Sequence, residues 1–429
     1  MIFLCFQSGN WSIMRYKGCS CESYWKKGNA MYKLFCRIYQ LAFKLFTPLL
    51  PWREPVVLEG SGSLDQLPAL IKQQKIDSVL IVTDAVIVSL GLMDGLLKGL
   101  ADAGIRYVVY DKTVPNPTID NIEEALTLYK SSGAKGLVAF GGGSSMDCAK
   151  GVGARVARPG KSIPSMKGVL KVLHRIPTLF AIPTTAGTGS ETTIAAVVTN
   201  SKTHEKYAIN DMSLIPHFAV LDPLLTVKLP PAITSTTGMD ALTHAIEAYI
   251  GKSNTKATWQ NSRDAVSLIF DNLYEAYSNG TNITARANMQ KASYLAGLAF
   301  TRAYVGYVHA VAHTLGGFYS TPHGLANAVI LPYVLDYFGP AVYKPLAELA
   351  DLTKLSAPDE SEAQKAAKFI AEIRRMNEAM CIPDKITGIL ESDIPKLAKQ
   401  AIAEGNPLYP VPAIWSLEDF IAVYHQIRA

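Results

Sequence analysis

The sequence predicts two domains, an α/β domain with a parallel sheet followed by an all-α domain. Three observations carry this. A chain of 429 residues is too long for one ordinary core. Between about 54 and 230, short β-branched apolar runs alternate with helical patterns. Beyond Leu229-Pro230-Pro231 the strand signals stop and helical patterns follow one another.

Residues 1–53 precede both domains as an N-terminal extension. Within it, 31–50 (MYKLFCRIYQLAFKLFTPLL) places Lys33, Arg37, Gln40 and Lys44 at steps of four, three and four. That is one stripe of a helix whose other positions are apolar. We expect this helix to pack on the body or on a second subunit rather than on lipid. Three cations offer only modest attraction to an anionic surface, about 1 kcal/mol each. Residues 1–30 show no clear period and end at Met31, an alternative start. A chain beginning at Met31 is therefore expected to keep its activity and thermal midpoint, and a marked loss of either would make the preceding stretch structural.

In the α/β domain (54–230), DSVLIVT (77–83), RYVVYD (106–111), GLVAF (136–140) and TLFAIP (178–183) read as buried parallel strands. Each is a continuous apolar run, as strands covered on both faces require. Helical spacing fills 87–103, 118–131 and 145–156. A βαβ series of this kind builds a parallel sheet covered by helices. The second domain (231–429) carries helical patterns at 233–250, 256–277, 283–300, 324–337, 361–379, 392–404 and 416–427.

Composition narrows the function. The chain is 49% hydrophobic and 18% charged, without repeats or low-complexity tracts, as in a soluble globular enzyme. Its net charge of +5 is unevenly placed. Residues 1–53 carry eight Lys/Arg against one acid, Glu22, for +7, whereas the remainder holds 33 basic and 35 acidic residues, for −2. The body thus gives no electrostatic case for nucleic acid. The cysteines (Cys5, Cys19, Cys21, Cys36, Cys148, Cys381) lack zinc-finger spacing, and their sparse use in the body fits a reducing cytoplasm. MIFLCF has no basic region before it and is too short for a signal-peptide core. No uncharged run of 18 or more apolar residues suggests a transmembrane helix.

Two loops carry chemistry. Gly141-Gly142-Gly143-Ser144-Ser145-Met146-Asp147 follows a predicted strand and opens a helix. Glycines there admit a close ligand, and the free N–H groups of a helix start favour an anion such as pyrophosphate. The run departs from G-x-G-x-x-G, and taken alone it is equally well a tight turn. A second loop, PTTAGTGSETT (183–193), is dense in hydroxyls and small residues. Two such loops at strand ends of one sheet point to a shared crevice and a Rossmann-like domain.

The histidines are more telling. Asp240 and His244 stand i, i+4 on a predicted helix, His309 and His313 repeat that spacing, and His323 follows in TPHG. A lone histidine on an apolar helix face is more often a structural hydrogen-bonder than a ligand. Four of the eight histidines lie between 244 and 323, with an acid one turn from the first, and that reverses the odds. Asp/His ligation suits Fe²⁺ or Zn²⁺. Spacing leaves open which three histidines bind.

GGGSSMDCAK, AIPTTAGTGSETT, GMDALTHAIEAYI and HAVAHTLGGFYSTPHGLANAVILP resemble the signature segments of the iron-containing (group III) alcohol dehydrogenases. Lactaldehyde reductase and butanol dehydrogenase belong to that family. The likeness runs in order over roughly 55–427. It implies a dehydroquinate synthase-like architecture and hydride transfer between NAD(H) and a primary alcohol or aldehyde. A divalent metal, Fe²⁺ or alternatively Zn²⁺, would polarise the substrate oxygen. The matching ligands are Asp240, His244, His309 and His323, and His313 would neighbour nicotinamide and substrate and pass the alcohol proton. Asp84 matches the acid that binds the adenosine ribose, which favours NAD by repelling the 2′-phosphate of NADP. Asn116, Gly142, Gly143, Ser144, Ser145, Thr184, Thr185, Thr193 and Lys206 match further cofactor contacts. We expect a homodimer or larger homo-oligomer in the cytoplasm.

Two rival readings are weaker. A dehydroquinate synthase handles an anionic substrate and needs Lys/Arg near the metal, yet 303–330 contains none. A purely structural metal site needs no nucleotide loops, and both loops are present.

Overall fold

The computed structural model describes residues 30–202 and 205–429, together with two short antiparallel strands before them, β1 (Cys5–Gln7) and β2 (Asn10–Ser12). The expectation that residues 1–30 are dispensable falls almost wholly outside the described residues. The extension's helix is α1 (Ala30–Phe46), continued by a 3₁₀ turn, Thr47–Leu49.

The α/β part runs β3 (Val56–Glu59), α2 (Leu67–Gln73), β4 (Ser78–Val82), α3 (Ala85–Ser89), α4 (Asp94–Asp102), β5 (Arg106–Tyr110), α5 (Ile119–Ser132), β6 (Gly136–Gly141) and α6 (Gly143–Ala157). It continues through β7 (Gly168–Val169), β8 (Thr178–Pro183), β9 (Ala195–Thr199), β10 (Lys206–Asn210) and β11 (Phe218–Leu221). Six strands form one parallel sheet in the order β3-β11-β8-β6-β4-β5, and β7, β10 and β9 form a small separate sheet. The four strands expected from apolar runs are β4, β5, β6 and β8. Sequence reading missed β3, an edge strand with partly exposed residues, and β11, only four residues long. The single helix expected over 87–103 is broken into α3 and α4, because Gly91 takes a left-handed conformation (φ 65°).

Alternation along the strands decides what covers the sheet. Leu80, Val82, Leu137 and Ala139 pack with Ile122, Leu126 and Val152 of α5 and α6. Val79, Ile81, Val138 and Phe140 face the other way, against Leu67, Ile71, Leu96 and Leu100 of α2 and α4. Both faces are therefore apolar, which is why the strands read as continuous runs.

From Pro231 onward come α7 (Pro231–Ile250), α8 (Lys256–Ser278), α9 (Ile283–Ala303), α10 (Tyr307–Tyr319) and α11 (His323–Phe338). Then follow α12 (Tyr343–Leu352), α13 (Glu362–Ala379), α14 (Ile394–Gly405) and α15 (Leu417–Ile427), around one large core. Capping boxes at Thr255, Ser361 and Ser416 start α8, α13 and α15. Seven of these helices coincide with the expected patterns. The two that do not are α12, which is short, and α10, which is buried through most of its length.

The extension helix packs on the body, as expected, but through its polar stripe. Arg37 donates to the carbonyls of Val411 and Pro412 (2.7 and 2.8 Å), Gln40 to those of Pro407 and Tyr409 (3.1 and 2.7 Å), and Lys44 to that of Lys252 (2.8 Å). The irregular segment 407–412 forms no helix or strand that would satisfy its carbonyls, so side-chain donors are drawn to it.

Candidate active site

Strands β4, β6 and β8 lie side by side, so their carboxyl ends open into one crevice. Asp84 stands just beyond β4. Its Oδ1 caps α3, accepting from the N–H groups of Val86 and Ile87 at 3.0 Å each. Beyond β6, Gly141 has φ 147°, and a Cβ there would lie 2.5 Å from Ser145 Oγ, so only glycine fits. Helix α6 starts at Gly143 with neither a side-chain cap nor an acid in its first turn, which leaves its N–H groups open to an anion.

The two loops touch. β6 and β8 pair Gly141 with Pro183, and Thr184 N–H donates to the Gly141 carbonyl at 3.0 Å. A Cβ on Gly142 would sit 3.6 Å from Thr185. Lys206 Nζ donates to Asn116 Oδ1 (2.7 Å), and Asn116 N–H donates to Ser144 Oγ (3.2 Å), which joins three of the expected cofactor residues. Ser145, Thr184 and Thr193 are nearly fully buried, and Thr193 Oγ1 accepts from Lys150 Nζ at 2.8 Å.

The structure brings Asp240, His244, His309 and His323 into one group, each offering a donor atom within 4.8 Å of the others. α7 carries the first two one turn apart, α10 supplies His309, and α11 opens with His323. Asp240, His244 and His309 are buried, while His323 keeps 32% of its side chain exposed. Burial, then the neighbouring imidazoles, holds His309 well below the usual histidine range. Burial also lowers His244 and pushes His323 down to about 3. All three therefore stay neutral near pH 7 and keep a lone pair for a cation.

The donor set fits a divalent ion. Asp240 Oδ1, His309 Nε2 and His323 Nε2 converge on the amide nitrogen of Asn327 at 2.6, 3.2 and 3.2 Å. That amide has two hydrogens for three acceptors. His244 Nδ1 is buried without a hydrogen-bond partner. Lone pairs in excess of donors, with one carboxylate among three imidazoles, suit Fe²⁺ or Zn²⁺.

His313 is not in that group. Its Nδ1 lies 2.6 Å from Glu404 Oε1, which also accepts from Tyr409 Oη at 2.8 Å, and its ring stacks on His323 with centroids 5.2 Å apart. The geometry separates the two histidines that helical spacing had left equivalent. Gly187, in the second loop, packs so closely on α7 that a Cβ would meet Thr237 at 2.6 Å. The second loop thus lies directly against the helix that carries Asp240 and His244. Burial lowers Lys206, and the nearby charges of Asp147, Glu404 and Asp240 pull it back.

Sequence reasoning missed four supporting residues. Glu247 Oε2 accepts from Gly306 N–H and from His309 Nδ1 (2.7 and 2.6 Å), and its Oε1 accepts from Val308 N–H (2.7 Å). Burial leaves this carboxyl raised to about 8 even though the backbone hydrogen bonds it accepts lower it. By accepting a hydrogen bond from Nδ1–H it fixes the tautomer whose Nε2 lone pair is free for a metal. Glu247 continues the face of Asp240 and His244, so its spacing was a usable signal. Asn327 lies one turn after His323 and was likewise within reach. Lys150 sits in the GGGSSMDCAK run but carries no recognisable spacing to its partners. Glu404 is 91 residues from His313, and nothing local marks the pair.

Comparison with known proteins agrees. Residues 55–223 match the family described as iron-containing alcohol dehydrogenase, and residues 234–428 match the Fe-containing alcohol dehydrogenase family, C-terminal. The chain is 38% identical over 338 residues to the 1,3-propanediol dehydrogenase of Klebsiella pneumoniae, covering 78% of this chain and 87% of the relative. The crystal structure of a 1,3-propanediol oxidoreductase superposes with a TM-score of 0.84 at 36% identity, over 88% of this chain and 99% of that one. Sulfoacetaldehyde reductase from Bifidobacterium kashiwanohense, solved in complex with NAD⁺, gives 0.78 at 26% identity, over 88% and 98%. The chain belongs to the iron-containing alcohol dehydrogenases, a family of oxidoreductase enzymes.

Proposed function

We propose that this protein interconverts a primary alcohol and its aldehyde with NAD(H), using Fe²⁺, or alternatively Zn²⁺, held by Asp240, His244, His309 and His323. The observation that carries the reading is the four-donor group, two of its members on a helix that packs directly against the second of two loops suited to a dinucleotide. In this reading 54–230 bind the nucleotide and 231–429 hold the metal. The protein works in the cytoplasm as a homodimer or larger homo-oligomer.

When bound, the ion would supply a Lewis acid to the substrate oxygen and the nicotinamide would supply the hydride acceptor. Glu404 accepts a hydrogen bond from His313 Nδ1–H and so fixes the tautomer whose Nε2 lone pair can accept the substrate's hydroxyl proton. Glu247 does the same for His309, directing Nε2 to the metal. The open start of α6 receives the pyrophosphate, while Asp84, Asn116 and Lys206 hold the rest of the dinucleotide. NADH absorbance with a panel of short alcohols, diols and aldehydes, alongside metal analysis of the purified protein, tests the proposal. A metal-loaded protein that turns over none of them would refute it.

Asp84 sets the cofactor preference. Its carboxylate opposes a 2′-phosphate, so the wild type should use NAD well ahead of NADP, and Asp84→Gly should narrow that ratio. Glycine is tolerated at a helix cap at a cost of only a few tenths of a kcal/mol, so α3 should survive the change. A wild type that prefers NADP would remove Asp84 from this role.

A further inference from the structure

We infer that Gln40 of α1 is a positioning residue for His313, acting through Tyr409 and Glu404, a role that rests on the proton relay assigned to His313 above. α1 lies outside the residues that match the family, 55–223 and 234–428, yet its covered side reaches a segment next to the active site. The apolar residues Leu34, Ile38, Leu41 and Leu45 are left exposed, so it is the polar stripe that is covered, with Gln40 5% exposed. Both hydrogens of its amide are used, since Nε2 donates to the carbonyls of Pro407 (3.1 Å) and Tyr409 (2.7 Å). Arg37 Nη1 donates to Gln40 Oε1 at 2.8 Å and so fixes which end of the amide meets that segment.

The contact continues inward. Tyr409 offers Gln40 its backbone carbonyl, and its own hydroxyl donates to Glu404 Oε1 at 2.8 Å. The same Oε1 accepts from His313 Nδ1–H at 2.6 Å. Three hydrogen bonds in series therefore join α1 to His313. Glu404 needs such a hold, because 33% of its side chain is exposed and water competes for the carboxylate. Tyr409 is buried in the large helical core and supplies a rigid donor. A carboxylate fixed by a buried phenol holds the imidazole in one orientation, whereas one free to rotate lets the ring turn with it. Val411 N–H also donates to the Tyr409 carbonyl (2.9 Å), so losing Gln40 loosens this segment without leaving that carbonyl bare.

The test is single-turnover oxidation, followed by NADH absorbance, of the fastest alcohol in the panel above. The metal-loaded full chain is compared with Gln40→Met and Tyr409→Phe, each alone and each combined with His313→Ala. Methionine fills the space of glutamine without its donors, and phenylalanine lacks only the hydroxyl, so the fold should survive both. Each alone should slow the turnover by about tenfold, within the about 10²-fold that a misplacement of about 1 Å can cost. Bound metal and affinity for NAD should stay as in wild type. In the His313→Ala background neither should slow it further, because the group they position is gone. Slowing that persists in that background, a wild-type rate for either single variant, or loss of metal from either would overturn the positioning role and leave the proposed reaction standing. A His313→Ala protein as fast as wild type would instead remove the relay, and the positioning role with it.

Discussion

Replacing His309 or His323 by Ala is expected to remove bound metal and activity together, while replacing His313 by Ala is expected to leave the metal in place and slow turnover. His309 and His323 aim their Nε2 atoms at a common point with Asp240, and each loss would delete one of the four proposed ligands. His313 lies on the same helix as His309 one turn on, but Glu404 holds its Nδ1 outside the four-donor group. A proton-transfer role predicts a drop in turnover by a general acid–base factor of about 10²–10⁴ with little change in metal content. Glu404→Gln should reproduce a smaller part of that drop, because the amide can still accept from Nδ1 but no longer supports an imidazolium electrostatically. Metal quantification beside initial rates decides the matter. A His313→Ala protein that loses its metal would make His313 a ligand and end the relay.

Lys150→Met should destabilise the α/β domain by about 3–5 kcal/mol, the usual cost of leaving a buried ionic partner uncompensated. Lys150 is fully buried and donates to the carbonyls of Ser190, Thr193 and Ala195 at 2.7, 3.0 and 2.9 Å. It thereby ties α6, the helix that the glycine turn opens, to the loop that follows β8. Burial leaves Glu191 raised to about 7 and Asp147 to about 6 even though the charge of Lys150 lowers both. Glu191 is 2% exposed and would bear most of the loss, whereas Asp147 keeps some access to solvent. The sign with pH follows. Each acid titrates higher folded than unfolded, so ionising it costs the folded state more as pH rises through the folded value. Without Lys150 that cost grows, so the deficit should be largest near about pH 8 and shrink toward about pH 5, where both acids are protonated. Urea midpoints at the two pH values check this. An equal deficit at both would mean that Lys150 acts through its hydrogen bonds alone.

The sequence by itself determined what is periodic or contiguous. Four core strands were legible because both faces of the sheet are buried, so each reads as an unbroken apolar run. Asp240 and His244 were legible because a helix puts i and i+4 on one face, and Asp84 and the glycine turn because each directly follows such a strand. Only the tertiary structure could decide what depends on pairs distant along the chain. His309 and His313 share a helical face, and only the tertiary structure shows that Glu404, brought in by α14, pairs with His313 while His309 joins Asp240, His244 and His323. In α1 the sequence named the two faces correctly and left their direction open. Unsatisfied carbonyls at 407–412 captured the polar stripe, and a local hydrogen-bond demand thereby turned a row of leucines, with phenylalanine and isoleucine between them, toward solvent.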